Sequence, residues 1–314
     1  MTGEQASPDR GTVVTLDQLV AQAGRPLAPA GRRRPTLPTL PTPPRPPLAG
    51  PHLQGRASRG MEYQESRPYQ QGDDSRSLDW RQSARRGRLY TRIYAEEHGR
   101  PVRFLVDLSA SMRFGTKVAF KSVIAARAAA WLAWRIGARG DRVGGVAWNG
   151  PDAPELPPRS KRGGILSFLA ALARAGGPGS QAQAGFVAAM GTLAARPARA
   201  SLTVVLSDFA GFSPATGAAL AALAARGQLL LVEVFDPLEA APPAGNYALW
   251  DGVRQWPMND PGARAAYAQI RARRQESLAA LARRLGAGLV SLPTDADLAR
   301  ALGPALQLLP GLGP

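Results

Sequence analysis

The stretch FLVDLSASM (104–112) is an apolar run that ends in an acid and then offers hydroxyls at alternate positions: Asp107, Ser109 and Ser111. Alternate residues of an extended chain lie on one side, so these oxygens can converge as the chain turns into a loop. A second apolar run, TVVLSDF (203–209), ends on Asp208, and the loop GGPGSQ (176–181) carries Ser180. Carboxylates, hydroxyls and waters are hard ligands that suit Mg²⁺, Mn²⁺ or Ca²⁺ rather than zinc or copper. Two acids holding hydroxyls and waters around such an ion would leave one position open for a carboxylate from another protein. Alone, Asp-x-Ser-x-Ser occurs by chance in roughly one chain in ten of this size at ordinary composition. Asp208 alone reads as the cap of a following helix. Their occurrence together at two strand ends is far more specific. Thr192 rivals Ser180, but it falls inside a predicted helix.

These residues need a scaffold that brings two strand ends together. From residue 101 the pattern alternates strands with helices. Apolar strands are expected at 102–109, 141–149, 201–209, 228–237 and 287–294. Helices are expected at 117–140, 163–177, 183–196, 213–227 and 262–286, with a short one from about Asp295. Such alternation predicts an α/β fold with a doubly wound, mostly parallel sheet and helices on both faces. Ligands of that architecture bind beyond the carboxyl ends of the strands, where strand order reverses. If the order is 3-2-1-4-5-6, strands 102–109 and 201–209 flank that point, and Asp107 faces Asp208.

Upstream the chain changes character. Residues 1–54 read as a disordered Pro/Arg-rich arm, because GRRRPTLPTLPTPPRPPLAG (31–50) cannot bury enough surface to offset its ordering entropy. Residues 55–100 read as a small segment of short strands and loops, with alternation in RLYTRIYAE (88–96). Residues 101–314 form the main domain.

Composition narrows the function. The 314 residues contain no cysteine, which removes disulfides, thiolate metal sites and a thiol nucleophile. No run of about 18 apolar residues exists, so no transmembrane segment is expected. The opening MTGEQASPDR lacks an apolar core, so a cytoplasmic location is expected rather than secretion. The net charge of +16 would attract nucleic acid. However, the basic residues are scattered among Ala, Gly and Pro, and those of the 262–286 helix (Arg271, Arg273, Arg274, Arg283, Arg284) read as a solvated face. A basic nucleic-acid-binding protein is therefore kept only as an alternative. There is no Gly-x-Ser-x-Gly elbow and no Gly-Lys-Ser/Thr, which argues against a serine hydrolase and a P-loop nucleotidase.

Two resemblances sharpen the picture. The set Asp107, Ser109, Ser111, Ser180 and Asp208 resembles the metal-ion-dependent adhesion site (MIDAS) of von Willebrand factor A-like domains, with Ser180 where that family has Thr. The stretch RGMEYQESRPYQQGDDSRSLDWRQSARRGRLYTRIYAEE (59–97) is similar to the hallmark of the family called domain of unknown function fifty-eight. The matching residues are Gly72, Asp73, Asp74, Arg76, Asp79, Trp80, Ser83, Ala84 and Arg85; His98 departs from the family's Arg. The resemblance covers about residues 55–300. It implies a von Willebrand factor A-like domain that works as a non-enzymatic adaptor beside MoxR-type AAA+ ATPases. It also implies that the ion captures an acidic residue of a partner protein. Within the hallmark, Trp80 and Tyr94 are expected to cover a sheet edge, and Arg76 and Arg85 to be tied to the acids. The alternative from a different class is a metal-dependent hydrolase or phosphatase.

Overall fold

The computed structural model of the chain describes residues 11–24, 61–70, 73–96, 99–176, 183–196, 201–250 and 254–308. In chain order the elements are α1 (Leu16–Val20), β1 (Met61–Pro68), α2 (Trp80–Arg86), β2 (Tyr90–Glu96), β3 (Pro101–Asp107), α3 (Lys121–Gly137), β4 (Arg142–Trp148), β5 (Glu155–Arg159), α4 (Lys161–Ala175), α5 (Gln183–Ala195), β6 (Ser201–Ser207), α6 (Pro214–Ala224), β7 (Gly227–Phe235), α7 (Pro237–Ala240), β8 (Ala248–Trp250), β9 (Gln255–Pro257), α8 (Pro261–Leu285), β10 (Gly288–Pro293) and α9 (Leu298–Leu308). They fall into two units. The larger holds 11–24 and the chain from Arg100 onward, and the smaller holds 61–99.

The larger unit is built on a six-stranded sheet of order β10-β7-β6-β3-β4-β5. Every pairing is parallel except β4 with β5. Counted within this sheet, the order is the 3-2-1-4-5-6 on which the sequence argument turned. Alternation along β3 assigns its residues to two cores. Val102, Phe104 and Val106 pack on one face with Trp131 and Ile136 of α3, Phe168 of α4 and Leu302 of α9. Leu105 faces the other side, with Phe186 of α5, Leu223 of α6 and Leu281 of α8. Burying each such side chain contributes roughly 1.5–3 kcal/mol. Because both faces are covered, the strands are largely apolar, although Arg103, Thr203, Gln228 and Glu233 are buried on them.

Some elements were not legible in advance. ELPPR (155–159) forms edge strand β5, where prolines are tolerated because half of the strand's amides face away from the ladder. β8 and β9 form a small antiparallel pair. Residues 11–24 lie within the stretch expected to be a disordered arm, yet they carry α1, capped by Thr15, with Leu19 fully buried in the larger core. Trp134 Nε1 donates to the Leu19 carbonyl at 3.3 Å. Two apolar anchors, Val14 and Leu19, and a capped turn order this piece; the rest of 1–54 lies outside the described residues. The basic helix α8 also differs from expectation. Arg271 is buried over the Phe235 ring, 4.6 Å from its centroid, and Arg274 reaches the Ala210 carbonyl, while Arg273, Arg283 and Arg284 are exposed.

In the smaller unit β1 and β2 pair antiparallel with a bulge between Tyr63 and Glu65. Helix α2, which was not expected, is capped by Asp79 and closed by Gly87 in the left-handed region. Asp73 binds Arg67 through two bonds of 2.8 and 2.7 Å and accepts from the Gln70 amide and Thr91. The Arg67 guanidinium is the main reason its carboxyl lies below the usual range. Buried Asp79 accepts from Ser66 at 2.9 Å and from the Gln82 amide, and Ser83 Oγ accepts from the Tyr90 amide. The hallmark is thus a packing device, but through different residues than expected. Arg67 supplies the guanidinium, Arg85 is exposed, and the side chains of Arg76 and Tyr94 lie outside the described set. Trp80 is 66% exposed, so it covers no edge; as first residue of α2 it follows the cap, and the cap turns inward.

Gly145 has φ +141°, and a Cβ there would collide with the backbone of Phe104 in β3. Gly145→Ala should destabilise the chain by at least about 2 kcal/mol, as measured by urea unfolding. An unchanged midpoint would contradict the close approach of β4 to β3.

Candidate functional site

The site forms where the sheet order reverses. β3 and β6 are direct neighbours, with Val106 opposite Leu206, so the residues that follow each strand emerge side by side. Asp107 closes β3 and Asp208 follows β6; both are buried, at 1% and 3% exposure. The 107–112 segment curls into a single 3₁₀ turn (Ala110–Met112). That turn brings the Ser109 and Ser111 hydroxyl oxygens to 3.3 Å from each other. Ser111 Oγ donates across to Asp208 Oδ1 at a long 3.4 Å. Four of the five expected residues, Asp107, Ser109, Ser111 and Asp208, therefore share one cluster. Ser180 lies outside the described residues. Thr192 is exposed on α5 and donates to the Ala188 carbonyl, so it takes no part.

The two carboxylates are held differently. Asp107 Oδ1 accepts from the Ser109 amide at 3.0 Å, and its Oδ2 accepts from Ser207 Oγ at 2.6 Å. These donors are neutral. Burial first, and the Asp208 charge second, push the Asp107 carboxyl up to about 6. Asp208 is buried as well, but the Lys121 ammonium overcomes that and holds its carboxyl below the usual range. Lys121 Nζ donates to Asp208 Oδ2 and to Glu239 Oε1, both at 2.8 Å. It is 2% exposed and lies 5.8 Å from the centroid of the Phe114 ring.

Besides Lys121 and Glu239, three supporting features escaped the sequence reading. Ser207 links the loops by donating to Asp107 and accepting from the Phe209 amide. Phe209 has φ +47° and is 4% exposed. A non-glycine residue held there costs roughly 1–3 kcal/mol, and the strain turns the chain sharply after Asp208. Asp236, at the end of β7, accepts from the Thr116 amide (2.9 Å), Thr116 Oγ1 (2.6 Å) and Thr294 Oγ1 (2.9 Å). Burial raises its carboxyl, but these bonds, Thr116's foremost, bring it below the usual range. They pin the 113–120 loop, which continues from Ser111, to the ends of two further strands.

Do these residues suit the divalent ion that the resemblance implies? Among the described residues no trio of His, Cys, Asp or Glu surrounds a common point. A cation here would depend on the serine hydroxyls and waters, with the acids behind them. The donor chemistry fits a hard ion. So does the electrostatics: among the described residues Asp107 is a buried carboxylate with neutral donors, and a nearby cation would favour its charged form.

Asp107 carries a testable pH signature. Its folded pKa of about 6 lies above the ordinary 3.8. Its contribution to stability is therefore full below 3.8 and is lost as pH rises through about 6. In chelator, the stability of Asp107→Asn relative to wild type should rise across that window; a constant difference would show that Asp107 is not desolvated. Ser207→Ala should cost about 1.5–3 kcal/mol, because it deletes a bond to a buried carboxylate. A loss below 0.5 kcal/mol in urea unfolding, on the order of a surface substitution, would contradict that bond.

The family model described as "Protein of unknown function DUF58" matches residues 65–277. Three mycobacterial proteins are 32% identical over 259 residues, covering 80% of this chain and 80% of theirs. Two of these are "Uncharacterized protein Mb1516" of Mycobacterium bovis and "Uncharacterized protein Rv1480" of Mycobacterium tuberculosis H37Rv. No solved structure matches.

Proposed function

The chain belongs to the family described as protein of unknown function DUF58, and from that premise we propose that it is a non-catalytic protein-interaction module of von Willebrand factor A-like type. A divalent ion, Mg²⁺ by preference with Mn²⁺ or Ca²⁺ as substitutes, would be held by Ser109 and Ser111 with Asp107 and Asp208 behind them. The same reading assigns a role to Ser180. The ion's open position would take an acidic side chain of a partner protein. The partner class that the resemblance suggests is a MoxR-type AAA+ ATPase, in the cytoplasm.

One observation carries this reading. Residues 107, 109 and 111 meet residue 208, which is 97 positions beyond Ser111, at the carboxyl ends of the two central strands. Its surroundings support a docking surface. Ser111 is half-buried while its partners are fully buried, so an incoming group meets the cluster at Ser111. No helix among the described residues is long and apolar enough to cross a membrane.

The test is capture of partners by the full chain in Mg²⁺ and in excess chelator, with Asp107→Ala in parallel. Asp107→Ala should stay folded by circular dichroism and lose Mg²⁺-dependent capture. Capture that persists in chelator and in the variant would remove the proposal.

Two buried carboxylates, Asp107 and Asp208, at the ends of adjacent strands could also hold an ion for a metal-assisted hydrolase, which is the second reading. Turnover in a phosphatase and esterase screen with Mn²⁺, abolished by Asp107→Asn, would establish it. Absence of turnover across the screen would leave the adaptor reading.

A further inference from the structure

We propose that Lys121 is a tethered counter-cation that weakens divalent-ion binding at the Asp107–Asp208 cluster, and that Glu239 tunes this effect by sharing the ammonium. The inference rests on reading that cluster as a divalent-ion site.

Lys121 occupies a costly place. It is the first residue of α3, where the helix's own positive end opposes a cation, and it is 2% exposed. A buried ammonium persists only where carboxylates compensate it. Two do so here, each at 2.8 Å, contributed by the loop after β6 and by α7. The geometry separates charge from space. The ammonium takes Asp208 Oδ2, whereas Oδ1 is the oxygen that meets Ser111. Lys121 therefore leaves the serine side of the carboxylate open and cancels its charge from behind. Lys121 thereby removes one unit of charge from a group of three carboxylates, Asp107, Asp208 and Glu239.

Glu239 is fixed in the opposite sense. Its Oε2 accepts from the Asp236 amide at 3.0 Å in the capping box of α7. Asp236 in turn holds the Thr116 loop. Glu239 thus stays beside Lys121 and draws off part of the charge that would otherwise fall wholly on Asp208.

Opposite signs follow for the two residues. Even at water-like screening, a unit charge one carboxylate away from a divalent ion changes affinity by roughly tenfold. The experiment is isothermal titration of the full chain with MgCl₂, for wild type, Lys121→Met, Glu239→Gln and the double variant. Circular dichroism establishes that each is folded. Lys121→Met should bind at least about tenfold more tightly than wild type, and Glu239→Gln more weakly. The double variant removes one charge of each sign, so it avoids a lone buried Glu239 and keeps the test open if Lys121→Met does not fold. It should also bind more tightly than wild type. Binding by Lys121→Met or the double variant where wild type shows none supports the proposal. Wild-type binding that neither variant tightens overturns it while leaving the ion site in place. No Mg²⁺ binding by any form overturns the ion site itself, and this inference with it.

Discussion

Two carboxylates closing adjacent parallel strands inside a water-poor interior repel each other, and the arrangement of the larger unit around them answers that repulsion. At ion-pair distances a charge interaction that is slight in water becomes several-fold larger near a protein interior. Asp208 is answered by a buried lysine. Among the described residues Asp107 is answered by neutral donors, the Ser109 amide and serine hydroxyls, and its carboxyl rises with burial. The cluster is therefore asymmetric, with one acid satisfied from within the fold and the other left short of positive charge. That asymmetry is the physical basis for reading it as a cation site.

The rest of the unit keeps this arrangement from relaxing. Adjacent parallel strands fix the two acids in register, and apolar cores on both faces fix the strands. The strained Phe209 and the doubly bonded Ser207 define the turn after β6. Asp236 ties the loop bearing Thr116 to β7, and Thr294 ties it to the end of β10. The acids could otherwise move apart or reach solvent; each of these contacts holds them in place. A group kept charged and dry at such cost is more readily explained by a ligand than by folding alone.

Much of this was legible in the chain because it follows from local pattern. Apolar runs ending in Asp107 and Asp208, separated by helical periodicity, imply strand ends at one rim, and the alternation of Ser109 and Ser111 implies convergence. What was hidden depends on distance in sequence or on a few isolated anchors. Lys121 looks like any lysine at a helix start, because its partners lie 87 and 118 residues away. Ser207 looks like the last residue of a strand. Val14 and Leu19 order their segment without a long pattern around them, and the prolines of β5 disguise an edge strand. Trp80 misled because aromatic rings are usually buried, whereas here its neighbour Asp79 takes the interior position. Ser180 remains an assignment from resemblance.

The claim that the cluster is a cation socket is tested most directly by anomalous diffraction from crystals of the full chain grown in MnCl₂. A manganese peak within bonding distance of the Ser109 and Ser111 hydroxyls, with Asp208 Oδ2 still paired to Lys121, is the result expected. A map with no peak there, and both carboxylates bound only to protein donors at saturating Mn²⁺, would contradict it.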